Sequence, residues 1–131
     1  MITGDQIVAH LVGDYVLQSH WMATQKTQRT FVALIHVITY SAGFWFLVPS
    51  IKAMAFIVIS HFFIDRFRLA RYVVLIKNCM APPQHISNLL ESYDALTGYP
   101  LGTPVWLSVW LTILADNTLH LLCNGLAITY V

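Results

Sequence analysis

Three stretches of the sequence carry a histidine and an aspartate four residues apart. The pairs are His10 and Asp14, His61 and Asp65, and, in the opposite order, Asp116 and His120. Residues four apart lie on one face of an α-helix, so each pair can act as a unit. Imidazole and carboxylate groups are ligands of zinc, manganese and iron. The spacing therefore indicates a metal site assembled from several helices.

The composition indicates that these pairs lie in an unusually apolar chain. Of the 131 residues, 57% are hydrophobic and only 10% are charged. A soluble domain of this size has far more charge on its surface, so we expect lipid to be the solvent. The formal net charge of +1 gives no reason to expect nucleic-acid binding. The two cysteines have no spacing typical of a disulfide framework or a metal site.

Four apolar stretches approach the length of about 20 residues that a helix needs to cross a bilayer. They lie at about residues 5–22, 31–48, 51–76 and 104–130. The segment 78–103 is rich in proline and polar residues, and we expect a loop with one short surface helix at about 84–96. The predicted fold is an all-α, four-helix transmembrane bundle that forms a single integral membrane domain over residues 1–131.

The distribution of basic residues predicts the orientation of this bundle. If the helices alternate, only Lys52 lies on one side, and the other side carries Lys26, Arg29, Arg66, Arg68, Arg71 and Lys77. The basic side is predicted to be cytoplasmic, so the long loop is cytoplasmic and both termini lie outside the cytoplasm. We expect a multi-pass protein of the bacterial inner membrane. The fourth helix runs opposite to the first and third, which explains its reversed motif and places each Asp nearer the cytoplasm.

The matching depths predict one shared site in the cytoplasmic half of the bundle. An aspartate at the centre of a membrane helix costs about 2.5–3.5 kcal/mol, so three of them need compensation. One or two divalent ions, of zinc, manganese or iron, would provide it. The predicted metal ligands are His10, Asp14, His36, His61, Asp65, Asp116 and His120. The alternative to metal binding for a lone histidine such as His36 is a role in packing. For a single His–Asp pair, the alternative is a hydrogen bond between the two side chains.

Other polar residues are assigned supporting roles. Asp14 and Asp65, nearest the cytoplasmic entrance, are the candidates for a catalytic general base. Gln18 would orient a ligand or bond another helix, and Asn117 would bind a substrate oxygen or stabilise packing. Lys26, Arg66 and Arg68 would attract an anionic substrate group. The alternative for these basic residues is topology and contact with lipid headgroups.

Several segments resemble a family of small integral membrane proteins of unknown function found in phages and bacteria. They are HLVGDYVLQSHWMA at 10–23, the His36 helix, SHFFIDRFR at 60–68, TGYP at 97–100 and ADNTLHLLCN at 115–124. The chain is more loosely similar to the membrane-bound metal-dependent hydrolases, whose helices also carry spaced His and Asp residues. The first resemblance implies that the site defines the family, and the second implies hydrolysis by analogy.

These observations favour an intramembrane metal-dependent hydrolase. Its substrate would be amphiphilic or anionic, such as a lipid phosphoester, and would approach from the cytoplasm or the inner leaflet. A proton or metal-ion transporter is one alternative, although polar residues concentrated in the cytoplasmic half argue against a path across the membrane. A phage membrane factor that modulates a host complex is another. The expected partner is the lipid bilayer rather than nucleic acid, and a homo-oligomer remains open.

Overall fold

The computed structural model describes residues 2–48 and 50–131, and the regular elements in this part of the chain are helices with no β-strand. The seven α-helices and one π-helix are α1 Gly4–Leu11, the π-helix Val12–Val16, α2 His20–Gln25, α3 Thr30–Ser41, α4 Ile51–Phe67, α5 Leu69–Asn78, α6 Pro83–Glu91 and α7 Val105–Tyr130. The all-helical prediction is confirmed. The chain forms two compact units, one made of the residues up to Phe67 with Leu119–Val131, the other of Arg68–Thr118.

The first predicted helix, at about 5–22, is divided in the structure. Thr3 begins α1 with an extended backbone, and its side chain accepts a hydrogen bond from the Gln6 amide. The π-helix ends at Val16, and Ser19 then caps α2, its Oγ lying 3.3 Å from the Met22 amide nitrogen that donates to it. Gln18 therefore lies between two helices rather than on one continuous face. Its half-buried side chain has an Oε1 without a hydrogen-bond partner among the described residues.

The second and third predicted helices are also shorter than expected. Within the predicted stretch 31–48, α3 ends at Ser41 and turns follow the helix. Hydrogen bonds such as that from the Phe44 amide to the Ser41 carbonyl, at 3.0 Å, close these turns. The segment 51–76 is interrupted at Arg68, whose φ of 53° is left-handed and cannot continue an α-helix. α4 and α5 are therefore separate helices.

These interruptions determine how much of the predicted membrane topology the structure supports. In the part of the chain that the structure describes, one helix, α7, is long and apolar enough to cross a membrane. It matches the fourth predicted stretch, at about 104–130. The α4 helix has 17 residues, or about 25 Å of length at the α-helical rise. A bundle of four spans is therefore not confirmed.

The first unit has an apolar core that surrounds polar side chains. Its buried members are Ala9, Tyr40, Phe44, Val48, Ala53, Met54, Ile57 and Ala127. Burying a side chain of the size of Phe44 or Ile57 contributes about 1.5–3 kcal/mol. Gly13 lies against the Tyr40 ring so closely that a Cβ on it would collide with the ring. The π-helix and α3 can approach each other because this position is glycine.

In the second unit, α6 confirms the predicted short helix but ends earlier, at Glu91. The following turn is organised by Asp94, whose carboxylate accepts hydrogen bonds from the Leu96 amide at 2.8 Å and the Thr97 hydroxyl at 3.0 Å. Gly98 has a φ of 77°, and a Cβ there would collide with the Arg71 carbonyl. The TGYP segment thus packs directly on the α5 backbone, which only a glycine allows.

Candidate metal centre

Four of the predicted ligands meet inside the first unit, supplied by three elements. Asp14 lies on the π-helix, His36 on α3, and His61 and Asp65 one turn apart on α4. All four side chains are buried, with residue exposures between 0% and 6%. The π-helix, a rare element found often at functional sites, presents Asp14 toward the two longer helices. The structure thus brings together residues separated by up to 51 positions in sequence.

The ligand atoms of these residues converge on one point. The Nε2 atoms of His36 and His61 are 3.0 Å apart, and each lies 2.9 Å from Asp65 Oδ2. Asp14 Oδ1 lies 3.2 Å from His36 Nε2 and 3.5 Å from His61 Nε2. Four ligands about 2.0–2.1 Å from a tetrahedral zinc ion are separated from one another by about 3.3 Å. The observed spacing is close to this value, so the buried cluster could hold a metal ion.

Hydrogen bonds alone cannot satisfy this cluster. An imidazole Nε2 carries either one N–H or one lone pair, so it makes one strong hydrogen bond at a time. His36 Nε2 nevertheless has His61 Nε2 and oxygens of Asp14 and Asp65 within 3.2 Å. A metal ion among the four donors would bind all of them at once. The donor set therefore fits a metal better than it fits a hydrogen-bonded network.

Packing rather than hydrogen bonding orients the two histidine rings. Their Nδ1 atoms are buried and have no hydrogen-bond partner among the described residues, whereas ligand histidines commonly bond through this atom. The Tyr40 ring lies over His61 with 3.7 Å between ring centroids. The His120 ring lies 4.1 Å from His61 by the same measure. His61 thus packs against two aromatic rings.

A cation of the protein also reaches the cluster. Lys26, which ends α2, places Nζ 2.8 Å from Asp65 Oδ2 and 3.2 Å from His36 Nε2, with its side chain only 14% exposed. Arg66 instead donates from NH1 to the Thr27 carbonyl at 2.7 Å. Of the three predicted substrate-binding residues, Lys26 lies in the cluster and Arg66 holds the turn after it. Arg68 lies at the left-handed break after α4.

His10 lies on the far side of Asp14 from the cluster. Its Nδ1 is 3.4 Å from Asp14 Oδ2 and 3.0 Å from the Tyr40 hydroxyl, which accepts a hydrogen bond from Asn124 Nδ2 at 2.7 Å. Asp14 therefore faces the other ligands with one oxygen and His10 with the other. Tyr40 and Asn124 were not predicted, although each follows a predicted histidine, His36 or His120, by one helical turn.

The α7 helix places His120 beside the cluster. Its Nε2 lies 3.8 Å from Asp65 Oδ1, which is too far for a hydrogen bond. This oxygen is the one that does not contact His36 and His61. Asp116 and Asn117 lie about one turn earlier on α7, in residues that belong to the second unit. Their roles as a ligand and a supporting residue stay predictions.

The fold and the site define an all-helical protein with a buried cluster of His and Asp residues that could hold a metal ion. The family model DUF3307, described as a protein of unknown function, matches residues 2–90. The chain therefore belongs to the DUF3307 family, and the matched segment contains Asp14, His36, His61, Asp65 and Lys26. Comparisons with curated proteins and with solved structures gave no match.

Proposed function

We propose that this protein is a metal-dependent hydrolase of the bacterial inner membrane. The observation that supports it is the convergence of two imidazole nitrogens and two carboxylate oxygens within a buried shell. Such a donor set suits zinc, manganese or iron. The proposal of hydrolysis rests in addition on the looser similarity of the sequence to membrane-bound metal-dependent hydrolases. The substrate is an amphiphilic anion, with a lipid phosphoester as the leading candidate.

The charges of the cluster favour an anionic substrate. Asp14 and Asp65 bring two negative charges and Lys26 one positive charge, so the three groups sum to −1. A divalent ion would bring the sum to +1, since Lys26 can leave His36 and keep its contact with Asp65, and this leaves room for one negative group in a buried site, where an unpaired charge is costly. A phosphodiester carries that charge. The charge of the cluster thus favours a substrate with one negative charge.

The chain's own groups divide the work of hydrolysis between them. When bound, a divalent metal would supply an activated water and stabilise charge on the reacting oxygen. Asp65, His36 and His61 would hold the ion, since their donor atoms lie closest together. Asp14, the most distant of the four donors at 3.2 and 3.5 Å from the two histidine nitrogens, would act instead as the general base and take up a proton from the attacking water. His10 would keep that carboxylate in position.

A membrane location is proposed from the surface of the protein. In its most apolar 18-residue window, α7 is only 11% buried, unlike the core helix of a soluble protein. Large apolar side chains that face outward on it include Val105, Trp106, Trp110 and Leu126, all more than half exposed. A surface of this kind is stable in lipid and unstable in water. We propose several membrane passes, with the site toward the cytoplasmic side and the termini outside.

Metal content is the first test of the proposed function. The wild type, purified in mild detergent, is expected to carry one or two equivalents of zinc, manganese or iron by elemental mass spectrometry. The variants His61→Ala and Asp65→Ala should lose this metal, whereas His85→Ala, at an exposed site on α6, should retain it. Folded wild type without metal, even after incubation with each ion, would refute the metal centre.

Hydrolysis is tested separately on the metal-loaded protein. Mixed micelles of detergent with lipid phosphomonoesters and phosphodiesters are assayed for released phosphate and headgroup. Turnover by the wild type and not by Asp14→Asn that still binds metal would support the assignment of the base. A loaded wild type that cleaves none of the lipids would leave the metal centre standing and contradict the hydrolase.

Transport is the second candidate, and one observation favours it. Gln6, His10 and Asp14 follow one another at four-residue spacing, and all three are buried. This row extends about 12 Å along α1 and the π-helix. It leads away from the cytoplasmic half of the predicted bundle, where the sequence analysis places the site. A row of buried polar side chains of this kind can line a path for protons or cations. Proton or zinc flux into liposomes by wild type, abolished by Gln6→Leu, would favour a transporter over a hydrolase.

A further inference from the structure

We propose that Lys26 is a built-in competitor of the metal, which holds the site in the metal-free protein and must leave His36 when the ion binds. This inference rests on the proposed metal centre and adds a control over its affinity. The ammonium group lies 3.2 Å from His36 Nε2 and 2.8 Å from Asp65 Oδ2. It therefore contacts two of the four candidate ligands.

The competition follows from the single lone pair of His36 Nε2. An ammonium group only donates hydrogen bonds, so the contact with Lys26 requires that His36 Nε2 accept through its lone pair. The same lone pair would form the bond to a metal ion. Both bonds cannot exist together on one nitrogen. Asp65 Oδ2 has more than one lone pair, so Lys26 could keep that contact after it leaves His36.

Charge acts in the same direction as the lone pair. In the metal-free protein Lys26 neutralises part of the charge of Asp65 inside a buried site, where unpaired carboxylates are unfavourable. A divalent ion supplies that neutralisation itself. It would also repel the ammonium group at short range, since both are cations. The metal thus removes the reason for Lys26 to contact His36 and adds a reason for it to move away from that nitrogen.

Arg66 on α4 anchors the turn that follows Lys26. Arg66 donates from NH1 to the Thr27 carbonyl at 2.7 Å and from Nε to Thr30 Oγ1 at 3.3 Å. Arg66 follows Asp65 directly, so the helix that carries the carboxylate also anchors the turn after Lys26. The Lys26 side chain is 14% exposed, whereas the four ligands are at most 6% exposed as residues. Its movement away from His36 would make the cluster more accessible on that side.

Zinc affinity tests the competition directly. Wild type, Lys26→Met and the control Lys52→Met, which removes an exposed lysine, are stripped with chelator and titrated with zinc alone. Removing one charge-assisted contact should tighten zinc binding by Lys26→Met about tenfold or more. Lys52→Met should match the wild type. Equal or weaker binding by a folded Lys26→Met would overturn the inference while the metal centre stands.

Amine labelling gives a readout that does not depend on the variant folding. Wild-type protein is acetylated with and without zinc, and modification of each lysine is measured by mass spectrometry. Lys26 should become several-fold more reactive with zinc, while Lys52 should not change. Zinc binding without a change at Lys26 would contradict its release. Failure of both wild type and Lys26→Met to bind zinc would overturn the metal centre and this inference together.

Discussion

Replacement of Asp65 by asparagine tests whether the buried ion pair with Lys26 stabilises the first unit. Asp65 Oδ2 lies 2.8 Å from Lys26 Nζ and 2.9 Å from Nε2 of both His36 and His61. Asp65→Asn keeps the shape of the side chain but leaves the ammonium group, 14% exposed, without that charge. Breaking a buried pair on one side typically costs about 3–5 kcal/mol. We expect a loss in the free energy of unfolding at the lower end of this range, since Lys26 is partly exposed.

A double-mutant cycle separates the ion pair from other effects of the substitution. Thermal unfolding of the chelator-treated protein is followed by circular dichroism for Asp65→Asn, Lys26→Met and the double variant. The double variant should be more stable than Asp65→Asn alone, because it no longer buries an unpaired charge. Asp5→Asn, the same change at an exposed site in the first turn of α1, should cost less than about 1 kcal/mol.

Two results would refute this reasoning. If Asp65→Asn unfolds within 1 kcal/mol of the wild type, roughly the effect expected of an exposed pair, the Lys26 contact contributes little. If the double variant is no more stable than Asp65→Asn, the loss comes from the histidines rather than from the stranded ammonium group.

Two further substitutions probe the packing around the site. Gly13→Ala places a methyl group against the Tyr40 ring and should cost about 1–3 kcal/mol by thermal unfolding, whereas Gly102→Ala, with open space around its Cβ position, should be neutral or slightly stabilising. Tyr40→Phe removes the acceptor of the Asn124 amide and should cost about 1–3 kcal/mol, whereas Tyr130→Phe, at an 80% exposed residue, should not change stability. A Gly13→Ala protein as stable as Gly102→Ala, or a neutral Tyr40→Phe, would contradict the packing described above.

The convergence of the ligands was predictable because helical spacing is a local property. His61 and Asp65 share a face of α4 as their four-residue spacing predicts, and His36 joins them near the middle of α3. His120 also lies near Asp65, with its Nε2 3.8 Å from Asp65 Oδ1. For these residues, the helical period and the cost of a buried charge were sufficient to predict that they meet in one site.

The interruptions of the helices were not predictable in the same way. Residues 12–19 and 66–69 contain no proline, and an apolar stretch looks continuous when only its hydrophobicity is considered. The Ser19 cap and the left-handed Arg68 are local choices that tertiary packing makes. Lys26 was predicted as part of a surface that attracts anions, but the turn between α2 and α3 carries it into the cluster. A turn of this kind is determined by contacts distant in sequence, such as that of Arg66 with Thr27.

The π-helix has a consequence for the length of the chain. Its bond from the Leu17 amide to the Val12 carbonyl, at 2.9 Å, encloses one residue more than an α-helical turn does. Deleting Tyr15 or Val16 would let the turn close as an α-helix and would leave the four-residue spacing of His10 and Asp14 unchanged. A deletion between His61 and Asp65 would instead turn one ligand about 100° away from the other. The surplus residue therefore lets the Asp14 segment shorten by one residue while His10 and Asp14 keep their shared face.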